Sequence, residues 1–230
     1  MSTLPIGRRA GAADGLRAAL PLGVGSAVFG VAFGVLARQA GLTAGQAVVM
    51  SALVFAGSSQ MAVLGLWAAA APAAAIVTTA LAVNLRHILM GATLRPWFSR
   101  LPARRAYPAL FFMTDETWSL TLRALTTGVG SPAYLVGSGL ALFVTWVAGT
   151  ALGHALGHSV ADPSGWGLDF VATAAFAALL AGRWRGRLDL PIWIAAGLAA
   201  LVAARDLPAG WHVLLGGLAG ALAGAFIDDD

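Results

Sequence analysis

The sequence predicts an all-α polytopic membrane protein of about seven transmembrane helices, and three observations predict it. Of its 230 residues 59% are hydrophobic and 10% charged, with a mean hydropathy of +0.80, well beyond what a soluble core of this size needs. The apolar residues fall into eight runs rich in Ala, Leu, Val and Gly, without the alternation of an outer-membrane barrel, so the backbone must satisfy itself in helices. The 14 basic residues, all Arg, stand mostly at the ends of these runs. They read as topology signals and argue against a nucleic-acid partner, in spite of a sequence pI near 11.0. With no Lys there is no Walker A phosphate loop, and with no Cys there is no disulfide or thiolate metal site. No cofactor is expected.

The elements follow in order. Residues 1–13 form an N-terminal tail. Segment one, about Leu16 to Ala37, is longer than a signal-peptide core and lacks a clear cleavage site, so it reads as a retained helix. Its Gly30 and Gly34, four apart, predict close helix packing. For Gly23-Val24-Gly25-Ser26 two readings stand open, packing or a locally unwound element whose amides and carbonyls face a substrate. Segment two, Gln46 to Leu66, carries Phe55-Ala56-Gly57-Ser58-Ser59-Gln60 at its middle. Each serine can bond back to its own helix, but the Gln60 amide has no such local solution. Interhelical packing and a site for the polar groups of a small substrate are both open there.

Segment three, Pro72 to Leu94, holds Asn84-Leu85-Arg86-His87. A helix starting at Pro72 puts Arg86 roughly 20 Å along, inside a hydrocarbon layer about 30 Å thick. A central Arg costs roughly 2.5 to 3.5 kcal/mol to insert, so it is expected to face a partner or a polar cavity. Snorkelling toward Arg95 would have to span roughly 13 Å. Arg86 therefore reads as a carboxylate clamp or the partner of a buried acid, and His87 titrates in a range useful for proton coupling. Segment four, Tyr107 to Leu125, contains Thr114-Asp115-Glu116-Thr117, an acidic cluster in apolar surroundings. Asp115 or Glu116 would pair with Arg86 or carry a proton, unless the cluster is simply hydrated at the interface.

The remaining segments are Tyr134 to Leu156, Leu168 to Ala181, Pro191 to Ala204 and Trp211 to Ile227. His154 and His158 read as end-of-helix residues, and Gly216, Gly220 and Gly224 form a smooth face for a neighbour. Residues 14–227 make one membrane domain and 228–230 an acidic tail. The Arg95, Arg100, Arg104, Arg105 loop and the Arg183, Arg185, Arg187 loop both belong in the cytoplasm by the positive-inside rule. Strict alternation of eight spans would separate them, which makes segment four the candidate for re-entry and the count seven. At an offset of 119, Gly30 and Gly34 match Gly149 and Gly153, while Pro72 and Arg86 match Pro191 and Arg205. This suggests repeats over 16–97 and 135–216, inverted if segment four does not cross.

The run from Gly23 to Gly34, then Met50 to Gln60, then Val83 to His87, then Thr114-Asp115-Glu116, resembles the AzlC family over about Asp14 to Ile227, most distinctively in the first half. The resemblance implies an exporter of branched-chain amino acids in the bacterial inner membrane, working with a small hydrophobic AzlD-type subunit. From their chemistry, Gly23, Gly25, Ser26, Phe55, Gly57, Ser58, Ser59, Gln60, Asn84 and Arg86 are the expected substrate-binding residues. Phe29, Phe33 or Phe55 would meet an apolar side chain. His87, Asp115 and Glu116 are expected to couple transport to protons across the lipid bilayer. An intramembrane serine hydrolase using Ser58 or Ser59 with His87, or a non-transporting scaffold, are the alternatives.

Overall fold

The structure, a computed structural model, describes residues 10–159, 186–207 and 211–227, with positions 170, 177, 181 and 184 between them. Most of the expected segment Leu168 to Ala181, and both extreme tails, lie outside the described residues. The described elements are all helices: α1 (Ala12–Gln39), α2 (Ala44–Val54), α3 (Gly57–Ala68), α4 (Ala73–Asn84), α5 (Arg86–Phe98), α6 (Ala103–Phe111), α7 (Asp115–Thr126), α8 (Pro132–Leu156), α9 (Asp189–Asp206) and α10 (Trp211–Ala225). Among them α1, α8 and the stretch Ala73–Phe98 formed by α4 and α5 are long and apolar enough to cross a membrane. The chain divides into two compact units, Met1–Gly57 with Leu85–Ala161, and Ser58–Asn84 with Asp162–Asp230.

The first unit is built on α1 and α8. They lie parallel, in register from Gly15 against the Tyr134 carbonyl to Arg38, whose Nη1 donates to the His154 carbonyl at 3.4 Å. Small residues make the approach possible. A Cβ on Gly30 would stand 2.6 Å from the Trp146 carbonyl, and one on Gly34 or Gly153 would overlap the carbonyl of Thr150 or Val31. Without a hydrophobic drive inside lipid, such backbone proximity is what gives helices their mutual attraction. Ser26 adds a bond from its hydroxyl to the Leu142 carbonyl at 3.2 Å.

We call the end where α1 and α8 begin the near end, and the other the far end. α2 starts at the far end, where Thr43 and Gln46 cap it reciprocally and His154 Nε2 meets the Leu42 carbonyl at 2.9 Å. It then runs antiparallel to α8, joined at mid-course by Ser51 Oγ and Thr150 Oγ1, 2.8 Å apart and both fully buried. At the near end Met90, Leu94 and Phe98 of α5 pack with Ala109, Met113, Leu125 and Leu135. There α6, of nine residues, and α7, of twelve, form a hairpin whose corner meets Gly139 and Phe143, part-way up the 25-residue α8.

In the second unit Asn84, at the end of α4, donates from Nδ2 to Ser59 Oγ at the start of α3, 3.1 Å away. α9 and α10 run antiparallel, with Gly216 against Ala200, Gly220 against Ala196 and Gly224 against Ile192. The glycine face read from the sequence is therefore filled by α9.

Two expectations are corrected. α1 is continuous through Gly23 to Ser26, so no unwound element forms there. Its next-turn hydrogen bonds survive because the glycines meet the neighbouring helix, or open space, with their backbone still helical. The residues matched at an offset of 119 do not relate inverted helices, because α1 and α8 are parallel and their matched glycines pack on one another. A different similarity of order is present: α2, α3 and the 26-residue stretch Ala73–Phe98 are followed by α6, α7 and the 25-residue α8. In each set two short helices flank a break and a long helix follows. The first set begins at the far end and finishes at the near end, and the second does the reverse.

Candidate functional site

The three polar motifs of the first half coincide with three helix breaks. α2 stops at Val54 because Phe55 adopts the left-handed conformation, φ 44 and ψ 43, and α3 begins at Gly57. A bulky residue there is strained by roughly 1 to 3 kcal/mol and persists only where its surroundings hold it. Phe55 is 6% exposed, with its ring 5.1 Å from that of Phe143 and 6.0 Å from that of Phe111. Leu85 separates α4 from α5, and Phe112 to Thr114 separate α6 from α7. The last break is stabilised locally. Thr114 N donates to Thr117 Oγ1 at 2.7 Å, and Thr117 Oγ1 donates to the Phe112 carbonyl at 2.9 Å.

In the first unit these breaks bring Arg86 and Asp115 together. Nη1 of Arg86 lies 2.8 Å from Oδ2 of Asp115, with the side chains 33% and 13% exposed. Asp115 sits in the first turn of α7, where backbone amides favour a carboxylate. Trp118 braces the same junction, its Nε1 donating to Thr93 Oγ1 at 2.8 Å. Glu116 is exposed and takes a bond from Thr114 Oγ1 at 2.7 Å. His87 is half-buried.

In the second unit Ser59 and Gln60 are buried, at 1% and 0% exposure, and Asn84 reaches Ser59. Ser58 is half-buried beside them in sequence. Of the segment-one candidates, Gly23 faces Thr145, Ser26 is bonded to α8, and Gly25 lies on the exposed side of α1 with nothing within reach of an added Cβ. These three belong to the α1–α8 seam and the outer surface of α1. Phe33 stacks on Trp146 and Phe29 lies tilted against it, with centroids 5.8 and 6.0 Å away, and Gly57 lies against the same indole.

Phe111, Phe112, Phe143 and Trp146 escaped the sequence reading because aromatic residues in apolar segments have no distinguishing local pattern. One signal was available. Gly139, Phe143, Trp146, Thr150 and Gly153 follow at intervals of three or four, marking a single face of α8.

The fold and the site define an α-helical membrane protein with charged and polar groups held at interrupted helices. The AzlC protein family model matches residues 21–160, well over half the chain, and the chain belongs to this family. It is 32% identical over 157 residues to an uncharacterized membrane protein of Archaeoglobus fulgidus, covering 67% of this chain and 68% of that one. It is 31% identical over 172 residues to the branched-chain amino acid transport protein AzlC of Bacillus subtilis, covering 72% and 65%. The inner membrane protein YgaZ of Escherichia coli is 27% identical over 143 residues, covering 61% and 58%. The chain thus spans about two thirds or less of these relatives' own lengths. No solved structure matches it.

Proposed function

We propose that the chain is the large subunit of a secondary exporter of branched-chain and similar apolar amino acids in the bacterial cytoplasmic membrane. It would work with a small hydrophobic AzlD-type partner and draw on the proton gradient. The observation that carries this reading is the Arg86–Asp115 ion pair at the junction of two helix breaks. Interrupted helices and intramembrane charge pairs are the usual means of handling a polar solute at membrane depth, and the name of the Bacillus subtilis relative supports the substrate class. Asp115 takes Nη1 of the guanidinium, where a substrate carboxylate would bind. Arrival of substrate releases Asp115 to accept a proton, which links the two fluxes. In the second unit Asn84, Ser59 and Gln60 are proposed to hold polar groups of a solute, and in the first unit His87 is proposed to relay the proton.

In the topology we propose, segment two does not cross the membrane. The Ala73–Phe98 stretch is long enough to cross alone, yet α2 starts at the far end and α5 finishes at the near end. Segment two therefore returns to the side it entered from, as segment four does. Two inverted halves result, 44–98 and 103–156, each a half-depth pair followed by a crossing. Arg17, Arg95, Arg100, Arg104, Arg105 and Arg123 then share the near end, and the positive-inside rule makes that end cytoplasmic.

Two measurements test these readings. Cells expressing the chain with its small partner should lose preloaded labelled valine faster than cells without it, and equal rates would refute export. Because the chain has no Cys, single cysteines at Ser99 and Ala40 report topology cleanly. An impermeant thiol reagent added outside should label Ala40→Cys and spare Ser99→Cys; the opposite pattern would reverse the orientation.

A further inference from the structure

The geometry points to Trp146 as a substrate-binding residue that donates its indole N–H to the carboxylate of the transported amino acid. Trp146 is 5% exposed, and its Nε1 has no hydrogen-bond partner among the described residues. A buried donor without an acceptor is unfavourable, and native structures rarely keep one without a reason. Its surroundings offer no replacement. Phe33 stacks at 5.8 Å and 25°, Phe29 lies tilted at 6.0 Å, and Gly57 presses on the six-membered edge, where an added Cβ would stand 2.8 Å from Cη2. A phenylalanine at 146 would keep that stacking and remove the orphaned donor. In this proposal the indole N–H serves an acceptor that the described residues do not supply.

The position fits an apolar amino acid. Trp146 is one turn beyond Phe143 on the same face of α8, and Phe143 closes an aromatic cluster with Phe55, Phe111 and Phe112, at centroid distances of 5.1 to 6.0 Å. Phe55 is 6% exposed and Phe111 40%, so the cluster runs from the interior outward. With an acceptor oxygen at the indole N–H, a branched side chain reaching one helical turn back along α8 would meet these rings, which would give the polar and apolar ends of one small molecule each a matching surface. α8 thereby becomes a wall of the site, and Gly57 gains a specific task in letting the indole lie flat against the α2–α3 break.

This assignment rests on the transport reading and is tested so that the two can fail separately. Valine efflux is measured against internal valine concentration in cells expressing the full chain with its small partner, and valine-dependent thermal stabilisation is measured on the purified complex. Trp146→Phe is expected to raise the half-saturating concentration about tenfold or more, with maximal flux within about twofold and the valine-induced stabilisation lost. Replacing Trp146 with 3-benzothienylalanine, which keeps the ring shape but carries sulfur in place of N–H, should do the same and excludes a packing defect as the cause. If both variants match the parent in half-saturation and valine response, and are more stable than it, the N–H has no ligand and the assignment is overturned while transport stands. If the parent neither moves nor binds valine, the transport reading itself falls.

Discussion

Arg86→Ala is expected to reduce valine efflux to the background of cells lacking the chain, and to lower the thermal stability of the purified protein. The stability loss has a definite source. Asp115 is 13% exposed and its carboxylate would lose the guanidinium 2.8 Å away. Removing one member of a buried pair costs about 3 to 5 kcal/mol, but Arg86 is itself one-third exposed, which lowers the expected cost to about 2 to 3 kcal/mol. The double variant Arg86→Ala with Asp115→Ala removes the stranded charge and should recover most of that stability, because no buried ion is left unpaired. Efflux should stay at background in the double variant, since the carboxylate clamp is gone. Arg86→Lys keeps the charge but not the two-pronged fork, so it should fold and transport weakly. Parent-like efflux from Arg86→Ala would remove the ion pair from the mechanism, and an unstable double variant would assign it to architecture.

The helical class, the glycine packing and the clustering of polar motifs were legible in the sequence because each leaves a local mark. An apolar run of membrane length, a Gly every fourth residue, or an Arg among leucines is visible without knowing what it touches. The pairing of Arg86 was readable only as a pair of alternatives. Both Asp115 and Glu116 lie in the first turn of α7, and the choice between them depends on helix phase: Asp115 turns inward while Glu116 stays exposed. The α1 tetrad Gly23 to Ser26 misled for the converse reason. A glycine that permits a helix to unwind is the same glycine that permits close packing, and the neighbour that decides is α8, more than 110 residues away. Segment two reads as one unbroken run because hydropathy does not register a left-handed Phe55. That residue has an aromatic side chain at a position where turn chemistry would favour Gly or Asn. The aromatic face of α8 shares this invisibility, since its meaning lies in which breaks it meets.

Gly153→Ala is expected to be among the most damaging conservative changes at the described residues. The added methyl would overlap the Val31 carbonyl, and neither that atom nor the α8 backbone can rotate away. The two helices must separate, which costs at least about 3 kcal/mol where backbone contact is the main attraction. Gly34→Ala meets the Thr150 carbonyl in the same way from the opposite side. Gly25→Ala, with nothing within 4 Å of the new methyl, should change stability by no more than about 0.5 kcal/mol and serves as the control on the same helix. Size-exclusion profiles and thermal unfolding of the detergent-purified proteins separate these outcomes. Equal stability of Gly153→Ala and Gly25→Ala would refute a tight seam. The consequence reaches the site, because the register of α8 against α1 fixes the height of Phe143 and Trp146 relative to the α2–α3 break. A milder opening of the seam, as with Gly30→Ala, whose methyl meets the Trp146 carbonyl at 2.6 Å, should therefore weaken valine binding before it unfolds the protein.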